Sequence, residues 1–252
     1  MQSETDAALA RRIAVAAGTL LIGVRDSGLF AGKSLGAAGD RVANAFIMEA
    51  LKANRPDDAV LSEEEAADPV RLTRSRVWIV DPLDGTREYG EGRGDWAVHI
   101  GLAIDGVAQT GAVTLPGLPD TFCTDSVSSP APVSDAPLRM LVSRTRPAAE
   151  AVSVARSLGA VLVPMGSAGA KAMAVVRNEA DIYLHSGGQY EWDSCAPIAI
   201  ARAAGFHTSR LDGSPLVYNA ADVFLPDLLI CRKQHAEQVL RLVAEFATSS
   251  ET

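Results

Sequence analysis

Cysteine is scarce: the 252 residues hold three, Cys123, Cys195 and Cys231, odd in number and far apart. Without a CxxC pair they form neither a zinc knuckle nor a redox motif, and a reducing compartment suits them best. Histidine is equally sparse. His99, His185, His207 and His235 never fall as HxxxH or HExxH, so a histidine-bound transition metal has no support. Positive charge is in deficit, 23 Lys and Arg against 31 Asp and Glu with a net charge of -8. That balance argues against a broad surface for nucleic acid or anionic lipid. No apolar run approaches the roughly 18–20 residues that span a bilayer. The opening MQSETDAALARR is polar and acidic, where a signal peptide is basic and then apolar. The expectation is a cytoplasmic protein with no nucleic-acid and no membrane partner.

What is present suits a folded α/β protein. At 48% hydrophobic and 21% charged residues, the chain can bury a core sufficient for one large domain or two small ones. Apolar residues at helical spacing from Asp6 to Arg25 predict a first helix. The stretch Gly28–Asp40, rich in Gly and Ala, reads as a mobile loop or loosely held hairpin, with a second helix from Asp40 to Lys52. AVL and RVWIV read as strands, and WAVHIGLAI-DG-VAQTGAVTL as a hairpin with a type I′ turn at Asp105-Gly106. The segment Asp125–Pro137, concentrated in Ser, Pro and Asp, divides a mostly antiparallel N-terminal part (1–130) from a smaller α/β part (137–252) in which strands and helices alternate.

The chemistry concentrates at strand ends. Asp81-Pro82-Leu83-Asp84-Gly85-Thr86 follows RVWIV, placing two carboxylates across a proline-fixed bend, with the Leu83 carbonyl as a further hard oxygen. Gly85 permits an unusual backbone angle, and the Gly85 and Thr86 amides offer a place for an anion. An ordinary turn uses the same letters. Likewise Ser62-Glu63-Glu64-Glu65 reads as a solvated acidic loop or a ligand source after AVL, and Trp192-Asp193 as an aromatic followed by a helix cap or a metal carboxylate.

Taken together, SEE, DPLDGT, GS before a helix and WDSCAP occur in an order that resembles the inositol monophosphatase superfamily. Within it, VLSEE, WIVDPLDGTREY and VSRTR look most like the branch called CysQ, the 3′-phosphoadenosine 5′-phosphate phosphatases. The resemblance implies an αβαβα layered sandwich and a cage of Glu63, Asp81, the Leu83 carbonyl, Asp84 and Asp193 around two or three Mg²⁺ ions. It also implies that Glu63 and Thr86 position and deprotonate the attacking water, with Asp40 assisting at a weaker metal site. Inhibition by lithium and recycling of a by-product of sulfate activation belong to the same implication. Lys33 and its glycine-rich surroundings depart from the acidic segment of many relatives.

Clustered carboxylates that bind cations suit phosphate-ester hydrolysis without a covalent intermediate. A haloacid-dehalogenase-type phosphatase, the rival chemistry, resembles DxDGT with one residue between its carboxylates, whereas two stand here. The remaining candidates concern a substrate that is a small phosphate ester, an adenosine bisphosphate by the resemblance. By the same resemblance Gly85, Thr86 and Asp193 are expected to border the reacting phosphate. Gly166, Ser167 and Lys171 could hold a hydroxyl or second phosphate, or be a plain cap and an exposed lysine. Ser143 and Arg144 could meet substrate phosphate or a surface carboxylate. Tyr190, after Gly187-Gly188-Gln189, could wall a base or end a flexible loop. Inositol monophosphate and fructose 1,6-bisphosphate remain as alternative substrates, and a non-catalytic metal- or nucleotide-binding protein as an alternative class. The number of subunits stays open, a homodimer included.

Overall fold

The computed structural model describes residues 4–131 and 136–250, so residues 132–135, inside the Asp125–Pro137 junction, lie outside the described residues. Helix α1 (Asp6–Asp26) follows the predicted period, and the Thr5 hydroxyl caps it by accepting from the Ala8 amide at 3.2 Å. It is the one helix among the described residues long and apolar enough to cross a membrane. One face of it is packed, with Leu9, Ala10, Ile13, Ala14, Ala17 and Leu21 buried in the core, while Val15 and Leu20 are exposed.

Helix α2 begins earlier than expected and runs Gly32–Asn54, so most of the stretch read as a loop or hairpin is helical. Leu35 and Ala38 are buried there, and the glycines serve close packing. A Cβ on Gly36 would lie 2.6 Å from Thr86 Cγ2, and one on Gly39 would lie 2.9 Å from the Tyr89 ring. These glycines let α2 approach the short helix α3 (Thr86–Gly90). Asp40 therefore sits in the middle of a helix rather than near its first turn.

The first sheet has the order β1 (Ala59–Ser62), β2 (Arg76–Asp84), β3 (Ala97–Ile104), β4 (Val107–Leu115) and β5 (Asp120–Cys123). β1 runs parallel to β2 and the remaining pairs are antiparallel. The β3–β4 turn has φ 49° at Asp105 and 78° at Gly106, as a type I′ turn requires. The second sheet contains β6 (Arg139–Ser143), β7 (Val161–Met165), β8 (Ile182–Tyr190), β9 (His207–Ser209) and β10 (Phe224–Cys231), in the order β7-β6-β8-β10-β9. β8 extends through the segment weighed as a flexible loop. Gln189 and Tyr190 pair with Leu225 and Phe224, and Ser186 with Asp227, so the ladder flanks the two glycines at its register shift.

Helices α1 and α2 cover the outer face of the first sheet. Helices α5 (Ala168–Val176) and α6 (Glu191–Ala203) fill the space between the sheets, while α4 (Ala149–Leu158) and α7 (Lys233–Ser250) close the far side. The result is the expected five-layer αβαβα sandwich. One core cluster joins Ile79 and Val113 of the first sheet to Ile198, Ala172 and Tyr183 beyond it.

Two glycines determine how closely α6 lies on the first sheet. Gly101 and Gly111 are partners across β3 and β4. A Cβ on Gly101 would lie 2.9 Å from the Ala196 nitrogen, and one on Gly111 would collide with the Ala196 carbonyl. Gly111→Ala must push α6 outward and is expected to cost about 1–3 kcal/mol, measurable by urea denaturation. An unchanged midpoint would show that the notch does not hold the helix.

Candidate active site

Five segments converge where β1 and β2 end. β1 delivers Ser62, whose hydroxyl donates to Asn44 of α2 at 2.8 Å, and Glu63 follows with its amide bonded to the Val80 carbonyl. β2 carries Asp81, Leu83 and Asp84, and its register against β3 shifts between the two aspartates. That irregularity turns both carboxylates toward the same corner. Gly85, at φ 90°, then swings the chain into α3. α2 contributes Asp40, the turn before α5 contributes Ser167, and the third residue of α6 is Asp193.

Oxygens of Asp81, Asp84 and Asp193 lie within 4.8 Å of one another. Their surroundings differ. Asp81 is buried and accepts one backbone hydrogen bond, from Leu83 at 3.0 Å. Burial and the charges of Glu63, Asp84 and Asp193 push its carboxyl well above the ordinary range. Asp84 is as deeply buried, yet it accepts from the Ser167 hydroxyl at 2.6 Å and from the Ala168 and Gly169 amides at 3.0 and 2.6 Å. Burial raises its carboxyl, but the His99 ring and these donors outweigh it and hold Asp84 at about 2. Asp193 accepts from the Tyr190 amide at 2.7 Å, reaching back over its own helix start. Burial and the Asp84 charge push it up to about 6.

Glu63 keeps contact with solvent, but the protein around it and the charges of Asp193 and Asp40 push its carboxyl up to about 7. Asp40 also lies at about 7, through burial and the Glu64 charge. The Thr86 hydroxyl donates to the Leu83 carbonyl at 3.1 Å and stands 3.5 Å from Asp40. Several carboxylates thus crowd one corner, and Asp81 faces no cationic side chain at hydrogen-bonding distance among the described residues. Hard, all-oxygen donors with unneutralised charge fit a divalent cation.

Ser143, Arg144, Gly166, Ser167 and Lys171 line one cavity of about 360 Å³ beside Glu88, and Tyr190 does not line it. Arg144 bridges Glu88 and Glu91 of the first half at 2.9 and 3.0 Å, and its buried Nε has no hydrogen-bond partner. Lys171 is buried rather than exposed. Its ammonium donates to the Gly166 and Ser167 carbonyls at 2.7 and 2.5 Å. Tyr190 is half exposed and stacks on Trp192 with ring centroids 4.9 Å apart. A second cavity of about 510 Å³, lined by Lys33, Asp40, Thr86 and Arg87, opens on the other side of Thr86.

Sequence reasoning missed His99. His99 is wholly buried on β3 opposite Asp81. Its Nδ1 lies 3.0 Å from the Trp192 carbonyl, which only accepts, so that nitrogen carries the proton. Its Nε2 lies 3.1 Å from Asp84, an ion-pair distance at an angle that misses hydrogen-bond geometry. The signal was a titratable side chain inside the apolar strand WAVHIGLAI, in register with DPLDGT.

The model of the inositol monophosphatase family matches residues 7–247. The chain is 49% identical over 255 residues to a 3′-phosphoadenosine 5′-phosphate phosphatase of Mycobacterium leprae, covering 96% of this chain and 94% of that protein. It is 32% identical over 199 residues to the 3′(2′),5′-bisphosphate nucleotidase CysQ of Escherichia coli K12, covering 75% and 81%. Among solved structures, CysQ of Bacteroides thetaiotaomicron superposes with a TM-score of 0.79 at 25% identity, over 90% of this chain and 97% of that one. A family match over nearly the whole length, on a fold that brings the motif carboxylates into one corner, means that this chain belongs to the inositol monophosphatase family.

Proposed function

We propose that this protein is a Mg²⁺-dependent phosphatase that removes the 3′-phosphate of 3′-phosphoadenosine 5′-phosphate, giving AMP and phosphate. The observation that carries the reading is the convergence of Asp81, Asp84 and Asp193 in a chain about half identical to a phosphatase of that name. Glu63, Asp81, the Leu83 carbonyl, Asp84 and Asp193 would hold two or three Mg²⁺ ions, with Asp40 beside the weakest. Bound there, the ions supply a more acidic water and positive charge for the phosphoryl oxygens.

The chain's own residues do the rest. Glu63 is placed to accept a proton from the attacking water, and Thr86 orients that water through its hydroxyl. The Gly85 and Thr86 amides and Asp193 border the reacting phosphate. The cavity of Ser143, Arg144, Gly166 and Ser167 takes the rest of the nucleotide, with Arg144 facing the 5′-phosphate, and Tyr190 stands outside that cavity. Cytoplasmic location and a homodimer complete the proposal.

The test is kcat/KM across a panel of esters. The adenosine bisphosphate should far exceed inositol 1-phosphate and fructose 1,6-bisphosphate, and AMP should be poor. Arg144→Ala should weaken the bisphosphate preferentially, by about 1.5–3 kcal/mol for a lost charged hydrogen bond. Equal rates on inositol 1-phosphate would reduce the assignment to a broad sugar phosphatase. Full activity in a chelator would remove the metal mechanism altogether.

A further inference from the structure

Glu191 and Arg71 are buried charges with no role in the chemistry just described, at 1% and 3% exposure. Arg71 lies in the short 3-10 turn Pro69–Thr73, on the connection that leaves β1 at Glu63. Glu191 is the first residue of α6, two before Asp193. They sit 120 positions apart in the chain, and one turn of backbone stands between them. Arg71 donates to the Asn219 side chain at 2.7 Å and to the Ala220 carbonyl at 2.8 Å, and Asn219 returns a bond to the Arg71 carbonyl at 2.9 Å. From the other side, both oxygens of Glu191 accept from the Asn219 and Ala220 amides, each at 2.7 Å.

We propose that Arg71, the Asn219–Ala220 turn and Glu191 form a positioning clamp. It holds the first turn of α6, and with it Asp193, against the connection that carries Glu63, so that carboxylates from distant parts of the chain reach cation-binding register. The inference rests on the metal part of the reading above. Residues two apart on a helix lie about 200° apart around its axis. Glu191 therefore anchors the back of the turn whose front presents Asp193. Asn219 holds φ 60°, the left-handed region that asparagine tolerates, which suits a turn held at both ends. The Glu191 amide adds a third tie, to the Val223 carbonyl at 2.9 Å. Buried groups that orient metal ligands from behind commonly change metal affinity or activity by about 10–100-fold when removed.

The experiment compares wild type with Arg71→Met, Glu191→Gln and Asn219→Gly, the last of which keeps the backbone angle and removes the side-chain bonds. The first readout is the Mg²⁺ concentration that half-maximally raises the unfolding temperature without substrate. The second is kcat and KM on whichever ester the wild type hydrolyses best. Each variant should need about tenfold more Mg²⁺ and lose kcat about tenfold, with KM nearly unchanged. The double variant Arg71→Met with Glu191→Gln should be little worse than the poorer single one. Arg76→Met, which breaks the bonds to Asp58 and Asp6 away from the cluster, controls for simple destabilisation. Variants that melt earlier but keep the wild-type Mg²⁺ midpoint and kcat would overturn the clamp. If Arg71→Met does not fold, the other two decide. A wild type with no cation-dependent shift would remove the metal reading and this inference together.

Discussion

Asp81→Asn raises the unfolding temperature of the chelated protein and removes nearly all turnover. Asp81 stands among Glu63, Asp84 and Asp193 with a single backbone donor, so its ionised form strains the metal-free fold. An asparagine keeps the carbonyl that accepts from Leu83 and drops the charge. The gain at neutral pH should be about 0.5–2 kcal/mol, roughly 2–6 °C for a chain of this size. Its pH dependence has a definite sign. A carboxyl whose folded value lies above its unfolded one binds more protons when folded, so its penalty grows as pH rises from the unfolded value through the folded one. The variant's advantage should therefore shrink on acidification. Turnover should fall more than about 100-fold, beyond what changes behind a metal ligand cause, because an oxygen of the cation cage is neutralised. Scanning calorimetry in chelator with a steady-state assay in Mg²⁺ checks both halves. A variant that is less stable in chelator would sink the repulsion argument, and one with near-normal kcat would take Asp81 out of the cage.

Asp84→Asn should also abolish turnover while changing stability in the opposite direction. Asp84 is held ionised by the Ser167 hydroxyl, two amides at the start of α5 and the buried His99 ring. An asparagine turns its NH₂ toward at least one of these donors, leaving buried groups unsatisfied at a cost of about 1–3 kcal/mol with or without Mg²⁺. Two aspartates three residues apart in one motif thus predict opposite shifts in the metal-free melting temperature. Equal shifts would mean that the site's electrostatics are governed by the motif rather than by its neighbours.

Much of the framework was legible in local patterns. The apolar period of α1, the Asp105-Gly106 turn and the strand ending in DPLDGT depend on residues close in sequence. They form as expected because helix periodicity, turn chemistry and strand alternation act over a few residues. Gly28–Asp40 was misread because composition does not reveal a neighbour. Gly36 and Gly39 look like loop residues until Thr86 and Tyr89 are placed against them. The extension of β8 through Gly187 and Gly188 was hidden for the same reason, since β10 supplies its ladder from more than thirty residues away.

The sequence alone determined the family, and its motifs named the candidates for the chemistry: Glu63, Asp81, Asp84, Thr86 and Asp193. Tertiary structure decided in which direction two of these carboxyls shift. Asp81 and Asp84 are the same residue type in one hexapeptide, yet burial among like charges raises the first while α5 and His99 lower the second. Electrostatic energy depends on distances in space, and the partners that hold Asp84 down lie from 15 to more than 80 positions along the chain. Tertiary structure likewise moved Lys171 from an exposed cation to a buried brace on the Gly166-Ser167 turn, and gave Arg71 and Glu191 a common backbone turn to grip. A one-dimensional pattern names donors and acceptors, and only the folded chain pairs them.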